Sequence, residues 1–177
     1  AFAEEMHHRS EHSLELALCW LHYFLGAQPI EVLPVLCGSF QTFVEREDSP
    51  ARIFTLRRAF AALREATAGR RVFVVAAADL AHVGPAFGDP APLRPEEKLA
   101  LARADEWRLA AACSGDPEAF LRELRRDGDS QRVCGLPPIY FALQALGGAE
   151  GEVVSYEQCP ADEEGGSLVS VAGVVFR

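Results

Sequence analysis

The segment R-V-F-V-V-A-A-A-D-L-A-H-V-G, residues 71–84, constrains the chain more than any other. Its run 72–78 is the longest uninterrupted apolar stretch, far short of the ~20 residues needed to cross a bilayer. Apolar on both faces, Arg71–Ala78 reads as a central parallel strand, because such strands are covered on both sides. A strand of that kind requires helices packed on the sheet, so the rest of the chain must supply them.

It does. Ser10 can cap a helix running to about Leu25, with Leu14, Leu18, Leu21 and Leu25 as its buried stripe and Gly26 closing it. The short apolar run 30–38 reads as a strand, and Pro34 within it argues for an edge or a bulge. Ser49-Pro50 opens a second helix that turns Phe54, Phe60 and Leu63 inward and stops at Gly69. After a Pro-rich loop, 85–95, Ala100, Ala104, Trp107 and Ala111 share one helical stripe. Asp116-Pro117 caps the next helix, and Pro137-Pro138 open another through Leu146. Two terminal runs, E-V-V-S-Y-E and S-L-V-S-V-A-G-V-V-F, read as strands, the second long and central. Helices alternating with buried strands predict one α/β domain over residues 1–177, a layered sandwich with a mostly parallel central sheet flanked by helices.

Charge and cysteine content narrow the function classes. A net charge of −9 argues against nucleic acid, which demands a basic face. The arginines at 57–58, 70–71 and 122–126 sit on helices or their ends and read as solvated faces. Nothing resembles a secretory leader or a membrane span. Five cysteines, widely spaced and without a C-x-x-C, suggest neither a disulfide framework nor a zinc ribbon, so a reducing cytoplasm is the expected compartment.

Three places can carry chemistry. Ligands of open α/β sheets sit beyond the carboxyl ends of strands, which is where Asp79 and His82 fall; the alternative is an Asp capping a turn beside a packed His. In M-H-H-R-S-E-H-S-L-E-L-A-L, residues 6–18, His12 recurs with Glu15, Cys19 and His22 on one helical face opposite the leucines. A metal site there competes with an ordinary wet face, and the wet face is the reading for Glu15 and His22. Cys134 precedes a Pro-initiated helix, whose dipole favours the thiolate that binds metal or attacks carbon.

Taken together, S-E-H-S-L-E-L-A-L with V-L-P-V-L-C-G, V-V-A-A-A-D-L-A-H-V-G, and V-C-G-L-P-P-I with the closing S-L-V-S-V-A-G-V-V resemble the Memo family, also called AmmeMemoRadiSam system protein B. The resemblance spans nearly the whole chain. It implies a fold similar to class III extradiol dioxygenases, with a non-haem metal cleft. It puts His12 and Cys134 forward as metal ligands, and Asp79 and His82 as acid/base or supporting groups at the same cleft. Iron or copper suits imidazole plus thiolate better than magnesium or calcium does. The family's upstream His-x-Gly-Tyr-type segment has no counterpart here, which leads us to expect the C-terminal portion of a longer protein. The family often has Asp-Phe-Cys-His where this chain has Asp79-Leu80-Ala81-His82, and a basic residue where Leu136 stands.

Three functions follow. The first is a metal-dependent oxidoreductase-like protein acting on an unknown small-molecule substrate, with a radical-SAM enzyme implied as an associate by the system name. The second is a hydrolase with Cys134 as nucleophile, His82 as base and Asp79 as orienter. The third is a noncatalytic binding module, since Memo-like proteins have been linked to phosphorylated peptides.

Overall fold

The computed structural model describes residues 6–9, 11–26, 28–46 and 48–177. The chain divides into two compact units, Ala1–Gly38 and Ser39–Arg177.

The first unit holds α1 (His12–Leu25). Ser10, the expected cap, lies outside the described residues, and Glu11 does the capping. Its Oε1 accepts the Ser13 N–H at 2.9 Å and the Ser13 hydroxyl at 2.7 Å. These bonds hold the Glu11 carboxyl below the usual carboxylate range. The expected leucine stripe is not buried: no residue of α1 is. Helical spacing sets which side chains share a face, not whether anything covers it. Trp20, Tyr23 and Phe24 are exposed and pack on one another, with Trp20 and Phe24 stacked at 5.8 Å. Residues 30–38 form no strand, and Ile30, Val32, Leu33, Val35 and Leu36 are exposed.

The second unit carries α2 (Gln41–Glu45), α3 (Phe54–Thr67), β1 (His82–Val83), α4 (Pro95–Cys113), α5 (Pro117–Arg125), α6 (Leu136–Leu146), β2 (Gly151–Pro160) and β3 (Leu168–Phe176). Helix starts follow the local chemistry. Asp116 accepts the Glu118 N–H at 2.9 Å, and Pro occupies the first turn of α4, α5 and α6. Ser49 caps as expected, but over a single 3-10 turn, Pro50–Arg52, before α3 begins. Of the three α3 residues expected inside, Phe60 is buried, Leu63 half-buried and Phe54 exposed. In α4 the buried side is Leu101, Asp105, Arg108, Leu109 and Ala112, one residue round from the alanine stripe, and Trp107 faces solvent. The buried ion pair on this face, described below, decides that phase.

The sheet has the order β1-β3-β2 with both pairings antiparallel; the mostly parallel arrangement expected is not among the described strands. Strand β3 is central, as its length and apolar content predict. The loop from β2 to β3 is short enough for direct antiparallel return. Residues 71–78 form no strand, and Val72, Phe73 and Val75 are exposed. An apolar run demands cover but does not specify its partner.

The main core packs Phe120, Leu121, Leu124, Leu136, Tyr140 and Leu143 with Leu80. A smaller cluster joins Ala81, Val83, Leu101 and Leu168. Leu80 and Ala81 therefore enter different clusters, which fixes the chain just after Asp79 on both sides. Burying one such leucine contributes roughly 1.5–3 kcal/mol. Among the described residues, no helix is long and apolar enough to cross a membrane.

Candidate metal centre

The site is assembled from two stretches, 79–82 and 134–135, held by backbone hydrogen bonds. The Leu80 N–H donates to the Ser170 carbonyl at 2.9 Å, and the Ser170 N–H returns a bond to Ala81 at 3.0 Å. The Ser170 hydroxyl accepts the Ala81 N–H at 2.9 Å. His82 then pairs in register with Val169. The first stretch is thus laid along β3, and its side chains have fixed directions.

Gly135 brings in the second stretch. Its N–H donates to the Asp79 carbonyl at 3.0 Å, so the backbone at Cys134-Gly135 lies against that at Asp79. A Cβ at Gly135 would collide with the Asp79 carbonyl oxygen and stand 3.1 Å from the Ala78 Cβ. Only glycine permits this approach.

One donor atom each from Asp79, His82 and Cys134 lies within 4.8 Å of the others, a group able to hold a metal ion. His82 Nε2 stands 3.8 Å from Asp79 Oδ2, and Cys134 Sγ is 3.9 Å from the Asp79 carbonyl oxygen. Ligand bonds of ~2.0–2.3 Å put neighbouring ligand atoms roughly 3–4.5 Å apart, a range that the His82 Nε2–Asp79 Oδ2 separation meets. The donor chemistry fits as well: imidazole and thiolate suit iron, copper or zinc.

The imidazole is oriented. Its Nδ1 lies 3.2 Å from the Leu80 carbonyl oxygen, an acceptor only, which takes an Nδ1–H and leaves Nε2 on the side of Asp79. The ring meets Phe87 edge-on at 5.1 Å, and only 19% of the side chain is exposed, against 50% for Asp79. An oriented imidazole thus sits beside a solvent-accessible carboxylate.

Cys134 differs from the sequence expectation in its acidity. It immediately precedes Gly135, the cap of α6, where the helix dipole favours thiolate. Yet partial desolvation pushes the thiol pKa up although the residue is exposed, as do the nearby carboxylates of Asp79 and Asp129, against the lowering effect of the Asp79 backbone bond. The thiol is therefore a poor free nucleophile at neutral pH.

His12 lies on α1 in the first unit, with its side chain 85% exposed and Nδ1 4.0 Å from Glu11 Oε1. Glu15, Cys19 and His22 on the same helix are exposed too, as a wet face requires.

Sequence reasoning missed the frame behind the site. Asp105 and Arg108 are both buried; Arg108 Nη1 donates to Asp105 at 3.0 Å and Nη2 to Asp127 at 3.0 Å. Tyr156 donates its hydroxyl to the other Asp105 oxygen at 3.0 Å. Arg108 also bonds the Gln131 side chain, whose backbone carbonyl accepts the His82 N–H at 2.8 Å. The signal available was an i,i+3 Asp-Arg pair, which reads as an ordinary exposed helix pair.

A family model described as Memo-like protein matches residues 1–175. A MEMO1 family protein of Archaeoglobus fulgidus is 27% identical over 176 residues, covering 98% of this chain and 58% of that protein. One from Methanococcoides burtonii is 28% identical over 158 residues, covering 86% of this chain and 50% of the relative. One from Methanosarcina barkeri is 28% identical over 173 residues, covering 96% and 56%. The chain thus spans about half the length of the curated relatives it matches.

Proposed function

Because the chain belongs to the Memo-like protein family, we propose that it carries a non-haem metal site used for redox or dioxygenase-like chemistry on a small-molecule substrate. The observation that carries this reading is the convergence of Asp79, His82 and Cys134 donor atoms within 4.8 Å. In it His82 Nε2 and the Cys134 sulfur would hold the ion, with the exposed Asp79 carboxylate as the third donor. Iron or copper is the expected ion, since both accept mixed nitrogen and sulfur ligands. A bound ion of this kind supplies Lewis acidity and one-electron chemistry. His12 is proposed as a further ligand on the family resemblance alone.

The wider reading has four parts. The fold is similar to that of the class III extradiol dioxygenases, a reading that rests on membership of the family. Association with a radical-SAM enzyme follows from the family's system name. A cytoplasmic location is supported by the five cysteines, all free. The cysteine-hydrolase alternative loses ground, because the Cys134 thiol is raised rather than lowered in pKa.

The test is anaerobic titration of the metal-free chain with Fe(II) and with Cu(I), repeated on Asp79→Asn, His82→Gln, Cys134→Ser and His12→Gln. One ion per chain is expected, with each of the first three substitutions weakening binding at least ~10-fold. Absence of binding, or binding indifferent to those three, overturns the reading. The His12 variant decides separately whether α1 supplies a ligand.

A further inference from the structure

We infer that Arg132 is a positioning residue that aims the His82 imidazole into the metal site. This deepens the function proposed above and rests on it for its consequence, though not for its geometry.

His82 is gripped by its backbone from both ends. Its N–H donates to the Gln131 carbonyl at 2.8 Å, and its carbonyl accepts the Arg132 Nε–H at 2.9 Å. Adjacent residues of one loop thus hold the donor and the acceptor of a single histidine. The other arm of Arg132 reaches Asp89, with Nη2 at 2.6 Å from Oδ2. The same carboxylate oxygen accepts the Gly84 N–H at 2.6 Å. Arg132 therefore closes a bracket around residues 82–84, touching His82 directly and Gly84 through Asp89.

The loop is shaped for this task. Arg132 sits at φ 53 and Asp129 at φ 55, the two non-glycine positions with positive φ among the described residues. Asp tolerates this region, as the Asp129 carboxylate bond to the Val133 N–H shows, but arginine has no such preference. The turn is closed instead by the Arg132 N–H bonding the Asp129 carbonyl at 2.9 Å and the Val133 N–H bonding the Asp129 carboxylate at 2.9 Å. Left-handed backbone at Arg132 turns its side chain back over the loop towards His82, and Cys134 follows two residues later. The loop thus carries a metal-site thiol and the clamp on the metal-site histidine together. Strain of this type persists where the surroundings over-determine it, and it clusters at functional sites.

A guanidinium suits the role because it is planar and bonds two acceptors at once; an ammonium is a point charge and cannot span both in that geometry. The clamp acts on the histidine backbone, leaving Nδ1 to the Leu80 carbonyl and Nε2 to the site.

The experiment compares the unsubstituted chain with Arg132→Gln, Arg132→Lys and Asp89→Asn, with Arg122→Gln as a surface ion-pair control. Two signals are read: Co(II) affinity with its visible spectrum, and the His82 ring proton shifts in the metal-free protein, displaced by the edge-on Phe87 ring. Arg132→Gln should weaken Co(II) binding about 10–100-fold and move the His82 ring signals towards free-histidine values. Arg132→Lys should recover part of both, and the control should change neither. If Arg132→Gln does not fold, Asp89→Asn, which frees one arm only, should still shift the His82 signals. Unchanged ring signals and affinity in the folded Arg132 or Asp89 variants overturn the inference. If the unsubstituted chain binds no Co(II), the metal reading fails, and the ring signals alone decide the role of Arg132.

Discussion

The Gly135 N–H donates to the Asp79 carbonyl at 3.0 Å, and this one bond joins the two stretches that bear the candidate ligands. The contact leaves no room for a side chain at residue 135, where an added Cβ would meet both the Asp79 oxygen and the Ala78 Cβ. Gly135→Ala should therefore separate the Asp79 segment from the head of α6. We expect a loss of ~1–3 kcal/mol in urea unfolding, as for other overpacked contacts, together with weakened metal binding. Lost stability with intact metal affinity would show that the bond serves the fold and not the site.

Thiol chemistry gives a second prediction. Partial desolvation and nearby carboxylates raise the Cys134 thiol pKa. Alkylation of Cys134 in metal-free protein, followed by mass spectrometry, should still be accelerating at pH 9. A rate that levels off below pH 8 would mark an activated thiol and revive the hydrolase reading. Bound metal should suppress the reaction across the whole range.

The buried frame predicts a larger effect. Asp105 and Arg108 have almost no exposed surface, and Asp127, Gln131 and Tyr156 satisfy their remaining bonding groups. Removing one partner strands the other charge in the interior, which costs about 3–5 kcal/mol. Arg108→Met should lower stability by that order in urea denaturation. Replacing both members with apolar residues should be milder than either single change.

The acid limb of stability should include Asp89. Its carboxyl is held below the usual range, first by the Arg132 hydrogen bond and then by the Gly84 N–H. A depressed folded-state pKa contributes stability above the unfolded carboxylate value and loses it as pH falls through the folded value. Asp89→Asn should therefore be less stable than the unsubstituted chain at pH 7, and the gap should narrow towards pH 2. A gap that stays constant with pH would contradict the pairing.

Local signals were readable from the residues, and coverage was not. Asp116-Pro117 and Pro137-Pro138 announce α5 and α6, and the apolar length of 168–176 announces a central strand, because caps and propensities act within a few residues. The leucines of α1 and the run 72–78 demand cover that lies elsewhere in a fold, so periodicity gave their pattern but not their partners. In α4, Trp107 is more apolar than Arg108, yet Arg108 is inside, because Asp105 and Gln131 pair with it. At the site, Asp79, His82 and Cys134 stood out by residue type and position. Arg132, Gln131 and Asp89 did not, since bonds to backbone carbonyls and N–H groups leave no spacing pattern to detect.

X-ray absorption on the iron- or copper-loaded chain tests the metal site most directly. One sulfur scatterer is expected near ~2.3 Å beside nitrogen and oxygen near ~2.0–2.1 Å, with the sulfur lost in Cys134→Ser and a nitrogen lost in His82→Gln. A shell of nitrogen and oxygen alone, unchanged by both substitutions, would contradict it.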